Sequence, residues 1–392
     1  MYGNRVCIHK QKVYARGSRP CRAWSAPTSA QGAARCRKRG SGTRRSNSPP
    51  TSSTGRAAGD KSVYTRPVGH LHTEIFTVLG VGIGHVSLGD TGVTALVSRD
   101  PQGMIGAVDV RGGGPGTRET DLLAPHNTVE RVHAIVLAGG SAFGLAAADG
   151  AMGELEARGI GFEVFGDGVA GPRVPIVPAA VIFDLVVGDS AHRPRAEDGA
   201  AAVAAALDHT APVATGSVGA GCGATAGVLR GGFGVASVEV GDSLVAAAVV
   251  ANPMGSVIDP ATGLLYGDPT QPAVELDTFN TLERPGPKLN TTIGVIATTA
   301  SLRPAQLQRL AIAGHDGLAR AVRPAHSPLD GDTLFAVSVP AGVGALEVGV
   351  DKLAPLTAAA ADAVQAAIVD AVAHATGAYD IPAWCDIVTT DG

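Results

Sequence analysis

Short apolar segments rich in Val, Ile and Ala alternate along this chain with alanine-rich segments of helical periodicity. Short apolar runs between turn residues are typical of buried strands, and the longer periodic runs are typical of helices. This alternation predicts a layered α/β domain in which helices cover the faces of sheets. The predicted strands are GVTALVSRD, MIGAVDVRG, VHAIVLAGG, FGVASVEVG and SLVAAAVVAN, and the predicted helices are SAFGLAAADGAMGELEARG and AEDGAAAVAAALDH.

The last part of the chain follows the same order after a linker. Residues 267–288 mix Pro, Asp, Thr and Gly in a way that predicts neither helix nor strand. TTIGVIATTA and TLFAVSV are then predicted strands, and a helix is predicted after each of them. The first helix carries an apolar stripe that begins at Leu307 and ends at Val322. The second is expected to begin near Thr357, which is a good N-cap residue.

Composition limits the class of protein. A chain of 392 residues with 45% hydrophobic and 17% charged residues can bury one large core or two modest ones. It has no run of 18 apolar residues, so no membrane span is expected. Its five cysteines include no CxxC spacing, which favours a reducing, cytoplasmic setting and gives no reason to expect a zinc site. Cys222 could be a nucleophile, but a small buried residue in a Gly/Ala turn is the favoured interpretation.

Charge is distributed unevenly along the chain. Residues 1–66 contain 15 of the 31 Lys and Arg residues and one acidic residue, Asp60, which leaves 16 basic and 34 acidic residues for the remainder. This Arg-, Ser-, Pro- and Gly-rich segment predicts a disordered tail before a single domain, residues 67–392. The tail fits an organelle presequence, a nucleic-acid arm, a solvated extension or a start codon assigned too far upstream. The acidic remainder argues against nucleic acid as the main partner.

Three segments resemble functional motifs but lack residues that those motifs require. GGSAFG, residues 139–144, has Phe143 where a nucleophile elbow needs Gly, so Ser141 is expected to cap a helix instead. GDSL, residues 241–244, recurs in a class of serine esterases, yet here it lies between two predicted strands. RGGGPGTRET, residues 111–120, lacks the lysine and hydroxyl of a P-loop. Its glycines either allow two backbones to approach closely or line a site.

Two segments remain, KLNTTIGVIATTASL at 288–302 and LDGDTLFAV at 329–337. Asp330 and Asp332 are two residues apart, so they project to the same side of an extended segment. Two carboxylates on one face repel each other unless a cation lies between them. Asp-Gly-Asp is also common turn chemistry before a strand. From the residues alone, a paired acidic site and a simple turn both remain open.

LNTTIGVIATTASLRPAQL, followed by LDGDTLFAVSV, resembles the small chain of the DmpA-type aminopeptidases and of the nylon-oligomer hydrolases. These families share self-cleaving N-terminal-nucleophile chemistry. The likeness extends upstream through VDVRGGGPGTRETDLL, VLAGGSAFGLAAADG, VPIVPAAVIFDL, GAGCGATAG and VVANPMGSVIDPATG. It implies an αββα sandwich of the DmpA-like, N-terminal-nucleophile-hydrolase type in which both self-cut chains belong to one domain. It also implies a homo-oligomer, a tetramer of processed heterodimers, and no metal or organic cofactor.

The resemblance also assigns a site, residue by residue. It implies self-cleavage between Asn290 and Thr291 into a large chain, residues 1–290, and a small chain of 102 residues whose first residue, Thr291, is the nucleophile. A free α-amine on the same residue, with a pKa near 8, could then take the hydroxyl proton. Asp330 and Asp332 match an acidic pair that orients Thr291 and stabilises its ammonium group. Asn252 matches an asparagine that helps hold the developing oxyanion.

Two positions depart from the compared branch. Phe183 stands where that branch has a tyrosine, and Val228 stands where it has a lysine, with Arg230 two residues later. Both departures concern proton transfer and substrate fit. Phe183 is therefore a candidate for the substrate pocket, together with residues of the glycine-rich turn: Gly139, Gly140 and Ser141.

The implied reaction is hydrolysis of amide bonds in peptides or small oligoamides through an acyl-enzyme on Thr291. The substrate would be a small peptide or amide, with no membrane and no nucleic acid as partner. L-, D- and β-peptides and linear oligoamides all remain possible substrates. Two alternatives stay open: an acyltransferase of the ornithine-acetyltransferase kind, and a non-catalytic family member that acts in binding or assembly.

Overall fold

The computed structural model describes residues 75–389 except 167, 210–211, 287–288 and 340–347. The basic segment 1–66 lies outside the described residues, so the division into a tail and one hydrolase domain stays a prediction. The elements are, in chain order, α1 (Ile75–Val78), β1 (Val81–Ser87), β2 (Gly92–Ser98), β3 (Met104–Val110), β4 (Thr117–Arg118), β5 (Arg131–Val132), β6 (Ala134–Ala138), α2 (Ala147–Ala157), β7 (Phe162–Glu163), β8 (Arg173–Val174), β9 (Ala179–Val181), α3 (Ala196–Asp208), β10 (Thr225–Ala226), β11 (Leu229–Arg230), β12 (Gly232–Val240), β13 (Ser243–Ala251), α4 (Leu276–Thr281), β14 (Ile293–Thr298), α5 (Pro304–Ala321), β15 (Thr333–Ser338) and α6 (Val350–Ala373).

Two mixed sheets form the centre of the described fold. One has six strands in the order β12-β13-β14-β15-β3-β5, and the other has five in the order β1-β2-β6-β9-β4. Strand β14 is an interior strand of the larger sheet, antiparallel to β13 and parallel to β15. Because β14 and β15 run in the same direction, the segments that precede them lie at the same edge of the sheet. That edge carries the predicted site.

Side chains alternate between the two faces of each central strand, as the period of a strand requires. Ile293 and Val295 of β14 pack between the two sheets against Leu96 of β2. Ile296 packs on the opposite face, in the cluster that β14 shares with α5 and α6. The outer face of the smaller sheet is covered by α2 and α3. The order of layers is therefore helix, sheet, sheet, helix, which confirms the predicted αββα sandwich.

Small residues let the helices and strands approach closely. At Gly317 of α5, an added Cβ would lie 1.9 Å from the carbonyl oxygen of Ala361 on α6. In the part of the chain that the structure describes, one helix, α6, is long and apolar enough to span a membrane, judged by length and composition alone. It nevertheless packs on β12, β13 and α5 and buries an apolar face there. Its composition is thus that of a core helix in this fold.

Two sequence-based expectations about element boundaries are wrong. Helix α6 begins at Val350, after an extended Gly349, and not near Thr357. Asp351 in its first turn interacts favourably with the helix dipole, and the hydroxyl of Thr357 donates to the carbonyl of Ala354 at 2.7 Å. The linker 267–288 contains a short helix, α4. Its N-cap residue Glu275 accepts a hydrogen bond through its side chain, which satisfies a free N–H of the first turn.

Helices α2 and α3 cross closely at a glycine, which allows the role of glycine at such a crossing to be tested. At Gly199 in α3, an added Cβ would lie 1.8 Å from the carbonyl oxygen of Ala147, so the helices must separate to admit alanine. We expect Gly199→Ala to lower the free energy of unfolding by about 1–3 kcal/mol, although alanine favours a helix by about 1 kcal/mol. Gly153→Ala is the control, because an added Cβ there meets nothing within 4 Å. Urea unfolding of both variants measures this, and equal stabilisation would contradict the close crossing.

Candidate active site

Three strand ends meet at one edge of the larger sheet. Asn290 and Thr291 precede β14, Asn252 follows β13, and the Asp330–Asp332 segment precedes β15. The N–H of Thr291 donates to the carbonyl of Asn252 at 2.8 Å, and the N–H of Gly331 donates to the carbonyl of Asn290 at 3.1 Å. The sheet therefore brings together all four residues that were predicted to be catalytic.

The peptide bond between Asn290 and Thr291 lies in a buried, polarised setting. The hydroxyl of Thr291 donates to the carbonyl oxygen of Asn290 at 2.5 Å. The same oxygen accepts the N–H of Gly331. Asn290 is 3% exposed and Thr291 is 5% exposed. A hydroxyl thus lies beside a carbonyl group whose oxygen already has a main-chain donor, in a site with little water.

The two carboxylates hold the backbone on either side of this peptide bond. Asp332 accepts the N–H of Thr292 at 2.8 Å. Asp330 accepts the N–H of Met254 at 3.0 Å through one oxygen and the N–H of Ser327 at 3.0 Å through the other. Burial, together with the nearby charge of Asp332, raises the pKa of Asp330. Orientation of a free ammonium group by this pair stays a prediction.

Arg284 is a site residue that the sequence analysis missed. Its Nη1 donates to the side-chain oxygen of Asn290 at 2.9 Å, and its Nη2 donates to the carbonyl of Met254. Burial lowers the pKa of its guanidinium, and the carboxylate of Asp330 opposes that shift. Arg284 thus supplies a cation next to Asp330. The only signal in the sequence was an arginine six residues before the expected cut, inside a segment with no regular pattern.

His326 is a second residue that was missed. Its main-chain N–H lies 3.1 Å from one oxygen of Asp332, and its Nδ1 lies 2.8 Å from the same oxygen. The imidazole packs edge-on against His315, with ring centroids 4.8 Å apart. Burial lowers the pKa of His315 to about 4. The carboxylate of Asp332 is therefore held by His326 on one side and by the nucleophile segment on the other.

Asn252 has partners through both ends of its amide. Its oxygen accepts the main-chain N–H of Thr225 at 2.8 Å, and Nδ2 of Asn290 lies 3.3 Å from the same oxygen. Its own Nδ2 donates to the carbonyl of Phe183 at 3.2 Å. One of the two amide hydrogens is therefore used within the fold. Donation of the other to an oxyanion stays a prediction.

The glycine-rich turn at 139–141 is tied to the same region. Gly140 donates its N–H to the buried carboxylate of Asp184 at 2.6 Å. Ser141 donates its N–H to the carbonyl of Ile182, two residues from Asp184. Phe183 lies between these two anchors, so the turn and Phe183 are neighbours, and their role as a substrate pocket stays a prediction. Ser141 is not a helix cap, however: its φ is +54°, Gly140 is the N-cap residue, and no side-chain cap bond forms.

The departure at Val228 and the nearby Arg230 have different positions. Val228 packs against the core beneath α5 and α6. Arg230 is buried on β11, directly opposite Thr225, and its Nη2 donates to the carbonyl of Cys222. Cys222 is 2% exposed, which confirms the interpretation of a small buried residue. Arg230 therefore places a buried guanidinium two residues after Val228.

The glycines of RGGGPGTRET allow a close backbone approach. An added Cβ at Gly112 would lie 2.4 Å from the carbonyl oxygen of Asp330. Arg111 donates its N–H to the carbonyl of Asp332 at 2.9 Å, and Gly114 donates to that of Asp330 at 2.7 Å. The loop thus fixes the main chain that carries both carboxylates, and its glycines allow this close backbone approach.

Comparison with known proteins finds relatives that match most of the chain. The profile of Peptidase family S58 matches residues 73–380. An uncharacterized aminopeptidase of Mycobacterium leprae (strain TN) is 46% identical over 348 residues, which is 79% of this chain and 93% of that protein. A 6-aminohexanoate-oligomer endohydrolase of Kocuria sp. (strain KY2) is 34% identical over 278 residues, 67% of this chain and 73% of that protein.

Solved structures share the fold at low sequence identity. A beta-aminopeptidase of Burkholderia sp. superposes with a TM-score of 0.61 at 24% identity, covering 80% of this chain and 89% of that one. The L-aminopeptidase D-Ala-esterase/amidase of Ochrobactrum anthropi, described as a variant of the Ntn hydrolase fold, gives 0.56 at 21% identity over 77% of this chain and 86% of that one. These similarities establish the layered fold.

Asp184 makes stability depend on pH. Burial raises the pKa of this carboxyl to about 6, so the folded chain retains a proton that the unfolded chain releases near pH 4. Stability therefore falls as pH rises from about 4 to about 6. Asp184→Asn cannot ionise and should gain about 3 kcal/mol relative to the wild type across this window. Urea unfolding of both proteins at pH 4 and pH 7 tests this. Parallel pH curves would contradict a proton on buried Asp184.

Proposed function

Because this chain belongs to peptidase family S58 and is a hydrolase of peptide or amide bonds, we propose that it cuts itself between Asn290 and Thr291 and then uses Thr291 as its nucleophile. One observation carries the proposal. The hydroxyl of Thr291 lies 2.5 Å from the carbonyl oxygen of Asn290, and the N–H of Gly331 donates to that oxygen. A nucleophile and a donor for the developing oxyanion therefore flank one peptide bond.

Self-cleavage would proceed by transfer of an acyl group from nitrogen to oxygen. The hydroxyl oxygen of Thr291 attacks the carbonyl carbon of Asn290, and the charge on the carbonyl oxygen is stabilised by the N–H of Gly331. The C–N bond then breaks, the nitrogen of Thr291 takes up the hydroxyl proton, and an ester remains. Water hydrolyses the ester, which leaves a carboxylate on Asn290 and a free amine and hydroxyl on Thr291.

The free amine then supplies the base that the uncut chain lacks. An α-amine has a pKa near 8 and can accept the hydroxyl proton of the same residue. Thr291 attacks the substrate amide, the amine product leaves, and water releases the acid from the ester. Asp332 already accepts the N–H of Thr292 and Asp330 lies beside it, which supports their proposed role of holding the new ammonium group.

The names of the relatives narrow the proposed substrates. Those proteins are called aminopeptidases and 6-aminohexanoate-oligomer endohydrolases. We therefore propose small peptides with a free amine, or linear oligoamides, as substrates of this chain. Family membership favours such hydrolysis over an acyltransferase and over a non-catalytic binding protein.

Self-association is also part of the proposal. The hairpin formed by β7 and β8 exposes several large apolar side chains at one place: Phe162, Val164, Phe165, Val169 and Val174. A cluster of this kind on a folded surface commonly marks a contact with another protein. It supports the expected homo-oligomer.

Replacing Thr291 tests both reactions at once. Thr291→Ala removes the only hydroxyl beside the Asn290 carbonyl within the described residues, so we expect a single uncut chain and a loss of amide hydrolysis of at least about 10³-fold. Intact mass and hydrolysis of aminoacyl p-nitroanilides measure the two effects. Thr292→Val is the control, because that hydroxyl has no hydrogen-bond partner, and it should cut as the wild type does. Normal hydrolysis by uncut Thr291→Ala would contradict the proposal.

A further inference from the structure

We infer that the pocket which holds the Asn290 side chain in the uncut chain is the acyl-side subsite of the cut enzyme. We further infer that this subsite selects substrates whose acyl residue carries a carboxamide, such as a peptide with N-terminal asparagine. The inference rests on the proposed function, because it requires that Thr291 performs both reactions.

One nucleophile and one oxyanion donor fix where an acyl group must lie. The hydroxyl of Thr291 is positioned by the start of β14, and the N–H of Gly331 by the start of β15. In both reactions the attacked carbonyl must lie between them, with its oxygen at the N–H of Gly331. Both reactions pass through an ester on the hydroxyl of Thr291. In that ester the side chain of the acyl residue can occupy the pocket that holds the Asn290 side chain in the uncut chain.

That pocket is buried and has a donor on one side and acceptors on the other. Nη1 of Arg284 lies 2.9 Å from the side-chain oxygen of Asn290. The side-chain nitrogen of Asn290 lies 3.2 Å from Oγ1 of Thr225 and 3.3 Å from the amide oxygen of Asn252. The carbonyl of Thr225 lies 3.4 Å from the same nitrogen. This distribution of donor and acceptors matches a carboxamide in one orientation.

Side chains of similar size match the pocket less well. Leucine has nearly the shape of asparagine, but it would leave the polar groups of Arg284, Thr225 and Asn252 unpaired in a dry site. Sites built to hydrogen-bond a substrate group reject analogues that lack the group far more strongly than they reject a change of size. Aspartate would satisfy Arg284, yet its second carboxylate oxygen would face the carbonyl oxygen of Thr225 and the amide oxygen of Asn252, which can only accept. A carboxamide is therefore preferred to both.

Arg284 has contacts that do not depend on Asn290. Its Nη2 donates to the carbonyl of Met254, and its charge interacts with the carboxylate of Asp330. These contacts can keep the guanidinium in the pocket after the cut end of the large chain has moved away. Asn290 is six positions after Arg284, and a chain of that length can extend about 20 Å. The cut end can therefore leave while Arg284 stays.

The test compares three substrates on the cut enzyme: the p-nitroanilides of L-asparagine, L-leucine and L-aspartate. We expect kcat/KM for the asparagine compound to exceed both others by at least about tenfold. Arg284→Met should reduce the asparagine-to-leucine ratio to below about threefold, mainly through a loss on the asparagine compound. Arg309→Met is the matched control, because Arg309 is exposed on α5 and should leave the ratio unchanged. A leucine rate equal to or above the asparagine rate would overturn the inference.

A second measurement guards against failure of Arg284→Met to cut itself. Intact mass gives the cut fraction, and rates are referred to cut enzyme only. If Arg284→Met stays uncut, Thr225→Val removes a hydroxyl acceptor from the same pocket and should reduce the ratio at least about threefold. Asn290→Leu gives an independent readout, because Asn290 is the acyl residue of the first reaction. We expect it to slow self-cleavage at least about tenfold, and an unchanged rate would count against the subsite.

The proposed function and the subsite inference are contradicted by different results. If the wild-type chain does not cut before Thr291, or if Thr291→Ala hydrolyses amides, the proposed function is wrong. If the wild type cuts and hydrolyses amides but does not prefer asparagine to leucine, only the subsite inference is wrong.

Discussion

The parallel pairing of β14 with β15 is the constraint on which the rest of the site depends. It aligns the residues before the two strands, so that Gly331 donates to the carbonyl of Asn290 and Thr333 donates to that of Thr292. Antiparallel pairing with β13 adds the carbonyl of Asn252 as partner of the Thr291 N–H. The carbonyl of Asn290 and the N–H of Thr291, which belong to this peptide bond, are thereby both held by main-chain partners. The site is a consequence of strand register more than of loop conformation.

Burial gives these contacts their chemical effect. The residues at the peptide bond and both carboxylates are almost inaccessible to water. In such surroundings a hydrogen bond to a developing charge is stronger than it would be in water, and an unpaired polar group is costly. Each carboxylate is accordingly bonded to the main chain, and Arg284 supplies a cation beside Asp330. The glycine loop brings its backbone into close contact with the backbone of Asp330.

Much of this arrangement could be predicted from the sequence. Apolar periodicity indicated the strands and helices, and the resemblance to a known family placed Thr291 next to Asp330. Arg284 could not be predicted, because its role depends on where a segment without regular pattern folds back onto Asn290. Local signals also failed where a neighbouring contact decided the outcome. Ser141 resembles a cap in sequence, but it has a left-handed conformation and its N–H donates to the carbonyl of Ile182.

The central claim is that Thr291 carries the acyl group in turnover. The most direct measurement is the mass of both chains, with peptide mapping, after acid quenching of a reaction with a slowly hydrolysed ester. The account predicts one acyl group per small chain, attached to the hydroxyl of Thr291 with its amine free. An acyl group on Ser141, Cys222 or any other residue would contradict it.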